Sequence, residues 1–206
     1  MSHDYDLSLP VDPADLALLK PGDRVYLTGE ITSTAGLPTH ERLVRELAEG
    51  ILPPVKLAGG VLFHLGSSLE EIDGRWHLHY VNPTTSTRFN ALMPPLIRGY
   101  GLRLTGGKGG LSHESAEALA ESGGVYLSFP GGAAPVLTDA VEEVVEVAWP
   151  EMISHYRIVR MRVKRLGPLT VGIDTHGNSV YDQIDETAKG RRAEILAQLV
   201  RDRAGV

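Results

Sequence analysis

No cysteine occurs among the 206 residues, so disulfides, zinc–thiolate sites and iron–sulfur clusters cannot be built from this chain alone. Positive charge is also in short supply: 20 Lys and Arg stand against 26 Asp and Glu, a formal charge of -6. Nucleic acid or an anionic membrane surface is therefore not attracted by the chain as a whole, and any anionic ligand has to be held by local cations. No apolar run approaches the roughly 20 residues of a membrane span. The opening Met-Ser-His-Asp-Tyr-Asp lacks the basic and apolar stretches of a secretory leader. A cytoplasmic location is expected.

What is present, 42% hydrophobic and 22% charged residues, suits a chain able to bury a sizeable core. With no internal repeat and no low-complexity linker, one domain is expected over residues 1–206, its core spanning about 20–200. Pro21-Gly22-Asp23 reads as a turn delivering the chain into a strand at Arg24–Gly29. A helix follows over Thr39–Gly50, with Leu43, Val44 and Leu47 at helical spacing, Thr39 as N-cap and Gly50 as stop. Further strands are expected at Val61–Leu65, Trp76–Val81, Leu102–Thr105, Val125–Phe129, Val144–Trp149, Arg157–Lys164 and Leu169–Ile173. Helices are expected at Ser112–Glu121 and near the C-terminus, where Ile195, Leu196, Leu199 and Val200 form a stripe. The expected fold class is α/β with a mixed central sheet.

Two segments carry most of the chemistry. In Asn82-Pro83-Thr84-Thr85-Ser86-Thr87-Arg88-Phe89 a strand ends, hydroxyl residues follow, and an arginine enters what reads as the first turn of a helix. Backbone N–H groups at a helix start, hydroxyl donors such as that of Thr85, and the guanidinium fork of Arg88 all suit a carboxylate. The competing local reading is that Thr85 or Ser86 caps a helix and Arg88 is solvated. In Gly106-Gly107-Lys108-Gly109-Gly110-Leu111-Ser112 a lysine rides on a glycine loop between a strand and a helix. A phosphate-binding P-loop would need Ser or Thr directly after Lys108 and glycine at 102, where the chain has Gly109 and Leu102. His40 lies in the first turn of the first long helix, where it could serve as acid, base or hydroxyl-polarising donor. His77 and His79 alternate on one strand face without a placed third ligand, so no metal site is expected here. Asp174-Thr175-His176-Gly177-Asn178 reads as a hairpin turn.

Taken together, Gly22-Asp23, Tyr26-Leu27-Thr28-Gly29, Pro83-Thr84-Thr85-Ser86 with Arg88, Gly107-Lys108-Gly109-Gly110, Phe129-Pro130-Gly131 and the run Gly167–Asn178 resemble one family over roughly residues 20 to 200. It is the family of L(+)-tartrate dehydratase beta subunits and the matching C-terminal domain of class I fumarases. The resemblance implies a swivelling β/β/α domain and a hydro-lyase that reversibly dehydrates a small 2-hydroxy (di)carboxylic acid. It also implies a [4Fe-4S] cluster carried by a cysteine-bearing alpha subunit and not by this chain, in an α2β2 heterotetramer or its equivalent. By the same resemblance Thr84 sits at the proton being moved, Arg88 and Lys108 hold substrate carboxylates, and His40 takes an acid/base or hydroxyl-orienting role.

Two departures accompany the resemblance. The family's Arg-Asp pair between the first strand and the histidine is replaced by Gly36 and Leu37, and its glycine before the Thr-Thr motif by Asn82. Loss of the arginine removes one carboxylate clamp, which keeps open a related hydroxy acid as substrate. It also keeps open a second class of function, a non-catalytic carboxylate-binding or regulatory partner that retains the fold. A stand-alone metal enzyme using His77 and His79 is the remaining alternative.

Overall fold

The computed structural model describes residues 2–204. Strand β1 (Asp4–Ser8) and a short helix α1 (Pro13–Leu16) lead into β2 (Arg24–Ser33) and helix α2 (Leu37–Ala48). Strand β3 (Val61–Phe63) is followed by a hairpin of β4 (Leu65–Ile72) and β5 (Arg75–Pro83), then a single 3-10 turn at Ser86–Phe89 and helix α3 (Met93–Tyr100). Next come β6 (Leu104–Gly107), α4 (His113–Ser122), β7 (Val125–Ser128), α5 (Ala134–Asp139), β8 (Val141–Ala148), a 3-10 turn at Ser154–Tyr156, β9 (Ile158–Ile173) and α6 (Val180–Ala204).

Strands β2, β3, β6 and β7 lie side by side and parallel, while β9 runs antiparallel to β7 and also to β2. The second pairing closes the sheet into a ring, with β1 added beside β2 and β8 beside β9. Side chains alternate across a strand, so one run of residues feeds two cores. Val61 and Phe63 of β3, Val125 and Leu127 of β7, and Val159, Met161 and Val163 of β9 join one buried cluster inside the ring. Leu62 and Tyr126, from the opposite faces of β3 and β7, join a second one with Leu43 of α2, Met93, Leu96 and Ile97 of α3, and Ala116 and Leu119 of α4. The result is a mixed α/β architecture with a helical layer on one side of the sheet.

Several local expectations need correction. Helix α2 begins two residues before Thr39, with Gly36 as N-cap; Thr39 is inside the helix, where its hydroxyl donates to Tyr156 O instead of capping. Arg157–Lys164 and Leu169–Ile173 are one strand, β9. Gly167-Pro168, which lies between the two expected strands, is absorbed by a register shift: Leu27 pairs with Leu166 and Val25 with Leu169, so the proline sits in the bulge and is not asked for a ladder N–H. The helix whose first turn is expected to hold Arg88 is only the 3-10 turn, followed by α3, whose Pro94 occupies a first-turn position that tolerates proline. Strand β1 and helix α3 were not anticipated. The turn at Asp174 is as read: its Oδ1 accepts from the N–H groups of His176 and Asn178, each at 2.9 Å. Among the described residues no helix is long and apolar enough to cross a membrane.

Candidate functional site

Parallel sheets bind ligands beyond the carboxyl ends of their strands, and the candidate residues gather at that edge. At the end of β3, His64 N–H donates to Gly106 O at 2.7 Å, and Thr84 N–H, just past β5, donates to His64 O at 2.8 Å. Lys108 N–H then donates to Thr84 O at 3.0 Å, and Ser86 N–H returns a bond to Lys108 O at 2.8 Å. This pairing makes Thr85 and Lys108 direct parallel neighbours, although they are distant in sequence. Gly107 permits it. A Cβ there would overlap Ser86 Oγ and sit 2.9 Å from His64 Cβ and 3.0 Å from Thr84 O, so the two loops can approach only with glycine at that position.

Thr84, Thr85 and Lys108 are half-buried and Arg88 is exposed. One arm of the Arg88 fork donates to Ala35 O at 3.1 Å, which ties it to the chain leaving β2. Among the described residues neither Arg88 nor Lys108 is paired with a carboxylate. Lys108 extends over the Phe129-Pro130-Gly131 turn, its Cδ lying 3.9 Å from where a Cβ of Gly131 would be. The Thr84–Thr85 segment, with Arg88 three residues beyond Thr85, and the Lys108 loop therefore meet along one edge, and cations on such an edge suit a small carboxylate. A cleft of about 650 Å³ lined by Leu47, Ile51, Leu52, Val55, Leu57 and Tyr100 contains none of these groups.

Beneath it runs a buried polar chain that sequence reasoning passed over. Gly110 N–H donates to Tyr126 Oη at 3.3 Å, Tyr126 O–H donates to Ser86 Oγ at 2.9 Å, and Ser86 Oγ lies 2.8 Å from His64 Nδ1. With the tyrosine proton directed at Ser86, the serine proton is free to go to His64, which leaves His64 neutral. Burial holds the His64 pKa well below the ordinary histidine value, and His40 and Arg88 push the same way. Burial pushes the Tyr126 phenol up. Ser86 lay within the singled-out motif but reads there as a helix cap; in the structure Thr85 holds the cap position without a side-chain bond, and Ser86 points inward. The available signal for His64 was a histidine inside the apolar run Val61–Leu65.

His40 is placed differently from the cations. It is fully buried, its ring stacked on Phe89 at 4.1 Å and 5.2 Å from His64. Its Nδ1 lies 2.6 Å from Gly36 O; a carbonyl only accepts, so Nδ1 carries the hydrogen and Nε2 is a bare lone pair. That Nε2 is buried without a hydrogen-bond partner. Burial, with the Arg88 charge adding, lowers the His40 pKa to about 4 although the Gly36 bond opposes it. At neutral pH the imidazole is uncharged and weakly basic, able to accept a hydrogen bond at Nε2 but with no cationic proton to give.

His77 and His79 project from β5 into solvent, and His79 lies 3.3 Å from Glu70. Among the described residues no group of three or more His, Asp or Glu is gathered to hold a metal ion. At Gly36, a Cβ would overlap Thr39 Oγ1 and lie 2.9 Å from Tyr156 Cα. The position is closed to any side chain, so no clamp of the kind the resemblance implies can extend from it.

Comparison with known proteins gives a consistent picture. The profile of the family described as Fumarase C-terminus matches residues 2–184. The chain is 33% identical over 193 residues to a protein of Escherichia coli K12 named L(+)-tartrate dehydratase subunit beta, covering 94% of each. It is 31% identical over 183 residues to a putative L(+)-tartrate dehydratase subunit beta of Methanocaldococcus jannaschii, covering 88% of this chain and 93% of the relative. A putative class I fumarate hydratase of Geobacillus stearothermophilus is 32% identical over 188 residues, which are 88% of this chain but 34% of that longer protein.

Proposed function

The chain belongs to the fumarase C-terminus family, and from that premise we propose that it is the beta subunit of a hydro-lyase. It acts with a cysteine-bearing alpha subunit in the reversible dehydration of a small 2-hydroxy (di)carboxylic acid. The observation that carries this reading is the backbone pairing of Thr85 with Lys108, which brings the threonine segment and the lysine loop to one edge, with Arg88 three residues further along that segment. A net charge of -6 makes such a local pair of cations the natural landing point for a carboxylate.

A class I enzyme of this family implies an iron–sulfur cluster. This chain does not fit it as host: it offers no thiolate, and among the described residues no three His, Asp or Glu side chains gather to hold a metal. The cluster belongs to the proposed alpha partner. This chain's own part is to bind and orient. Arg88 and Lys108 hold carboxylate oxygens, Thr85 donates a hydrogen bond to the substrate, and Thr84 lies at the proton being moved. A threonine hydroxyl is a weak base, so Thr84 needs the neighbouring cations to stabilise charge that develops on it. His40, neutral and with its free lone pair at Nε2, is too weak a base at neutral pH to take the proton and fits the hydroxyl-orienting role, accepting a hydrogen bond.

The closed space at Gly36 favours an acid needing fewer charge-assisted bonds than a dicarboxylate held at both ends. It also supports a second reading, a carboxylate-binding partner without turnover. Arg88→Ala separates the two. In the anaerobically assembled complex, turnover of a panel of 2-hydroxy acids collapses under the first reading. Under the second there is no turnover to lose, and only ligand affinity falls.

A further inference from the structure

The 3-10 turn at Ser154–Tyr156 is tied by its backbone and its first side chain to three elements. Ser154 O–H donates to Ser67 O at 2.9 Å while its Oγ accepts from Leu69 N–H at 3.2 Å, which fixes the turn to β4. His155 O accepts from Ala35 N–H at 3.0 Å, just past β2, and Tyr156 O accepts from the Thr39 hydroxyl of α2. None of these bonds uses the His155 ring, and His155 is exposed. The ring is nevertheless placed. Its Cδ2 stands 3.1 Å from where a Cβ of Gly66 would be, the Ala35 methyl stands 3.3 Å from the same point, and its Nε2 lies 3.3 Å from Tyr80 Oη. Gly66 pairs with Asn82, two residues before Thr84, and Ser68 pairs with Tyr80; alternation along the strand sets Tyr80 and Asn82 on one face of the hairpin. Ala35 also offers its carbonyl to Arg88, so the imidazole and the guanidinium flank a single residue.

The edge that carries the candidate residues has a length. Ser33, Phe63 and Gly106 pair in one row across β2, β3 and β6, and Ala35 and Lys108 each stand two residues past that row. Two strand spacings, about 10 Å, separate its ends, a span that a short acid bridges when hydrogen-bonded at each end over about 3 Å. Lys108 stands at the β6 end and His155 at the β2 end, with Thr84, bonded to His64 O, between them. The two ends differ in kind. Lys108 brings a cation, whereas the contact with Tyr80 occupies His155 Nε2 and leaves Nδ1, one ring nitrogen where an arginine would present a fork. A single nitrogen suits one uncharged oxygen better than a second carboxylate. We infer that His155, backed by Tyr80, is a specificity-determining residue of this site, and that the substrate is a 2-hydroxy monocarboxylate whose far end carries an uncharged oxygen, as in a hydroxyl or an amide. The inference rests on the reaction proposed above and names its substrate class.

The test uses the anaerobically assembled complex with two matched acids, malate and its 4-amide, which end in a carboxylate and in a neutral amide. The parent is expected to favour the amide in kcat/KM. His155→Ala should lower kcat/KM for the amide about 3- to 10-fold, the size of one neutral hydrogen bond, and so narrow the gap between the two acids. His155→Arg should reverse the preference, because it returns a charged fork to that end. Thermal unfolding should stay at the parent's value in both variants, since the backbone bonds that hold the turn are untouched, so a changed ratio reports recognition and not damage. Titration calorimetry of the same two acids reads the ratio without turnover. A complex that turns over neither acid removes the reaction, and the calorimetric ratio then decides the role of His155. A parent that favours malate overturns the inference, as do variants that keep the parent's ratio in both measurements.

Discussion

The backbone N–H of Lys108 donates to the carbonyl of Thr84 at 3.0 Å, so a lysine on a glycine loop and a threonine after a distant strand occupy one edge of the sheet. Their proximity is a property of the ladder and survives changes of side chain. Lys108→Met is therefore expected to leave the fold intact and remove one charge-assisted bond to the substrate. At about 1.5–3 kcal/mol for such a bond, kcat/KM of the assembled enzyme should fall roughly 10- to 150-fold. An unchanged kcat/KM would place Lys108 outside the site.

Arg88→Lys tests the fork. Lysine keeps the charge but cannot present two parallel donors while also bonding Ala35 O. The expected outcome is a loss of kcat/KM of about tenfold or more, smaller than that of Arg88→Ala. Equal losses in the two variants would show that geometry, and not charge, is what Arg88 supplies.

Tyr126→Phe removes the donor to Ser86 Oγ and leaves Gly110 N–H without its acceptor. A buried polar group stripped of its partner costs about 1–3 kcal/mol. Thermal unfolding should register that loss, and because Gly110 belongs to the Lys108 loop, KM should rise as well. A variant as stable as the parent would mean that water replaces the phenol.

Acid should destabilise the chain through its buried histidines. His40 has a folded pKa of about 4 against about 6.5 when unfolded, so between these values the unfolded state binds more protons. Its contribution is fully present above about pH 6.5 and is lost as pH falls toward 4, a total of about 3 kcal/mol. His64 is shifted in the same direction and adds to the effect. Denaturant midpoints measured across this window should fall with pH. His40→Gln should flatten the slope, and a parent profile flat from pH 7 to 4.5 would contradict the buried neutral pair.

Much of this was legible in the sequence, for identifiable reasons. Alternating runs such as Val125–Phe129 announce strands because a pleated strand feeds two cores, and Gly107-Lys108-Gly109 stands out because a lysine flanked by glycines marks a loop that carries a cation. Other features depend on what lies across the fold. Nothing local says that Gly167-Pro168 will be absorbed in a bulge opposite Val25 and Leu27. The inward turn of Ser86 follows from Tyr126 and His64, contributed by two other strands. His40 reads as a helix-start histidine; Phe89, stacked on its ring, arrives from a segment far along the chain.

The most direct test of the central claim is anaerobic co-purification of this chain with a cysteine-bearing partner, followed by dehydration of 2-hydroxy acids monitored by the ultraviolet absorbance of the unsaturated product. The account predicts a coloured complex whose activity requires both chains and collapses with Arg88→Ala. A stable complex with an intact cluster and no activity on any such acid would contradict it.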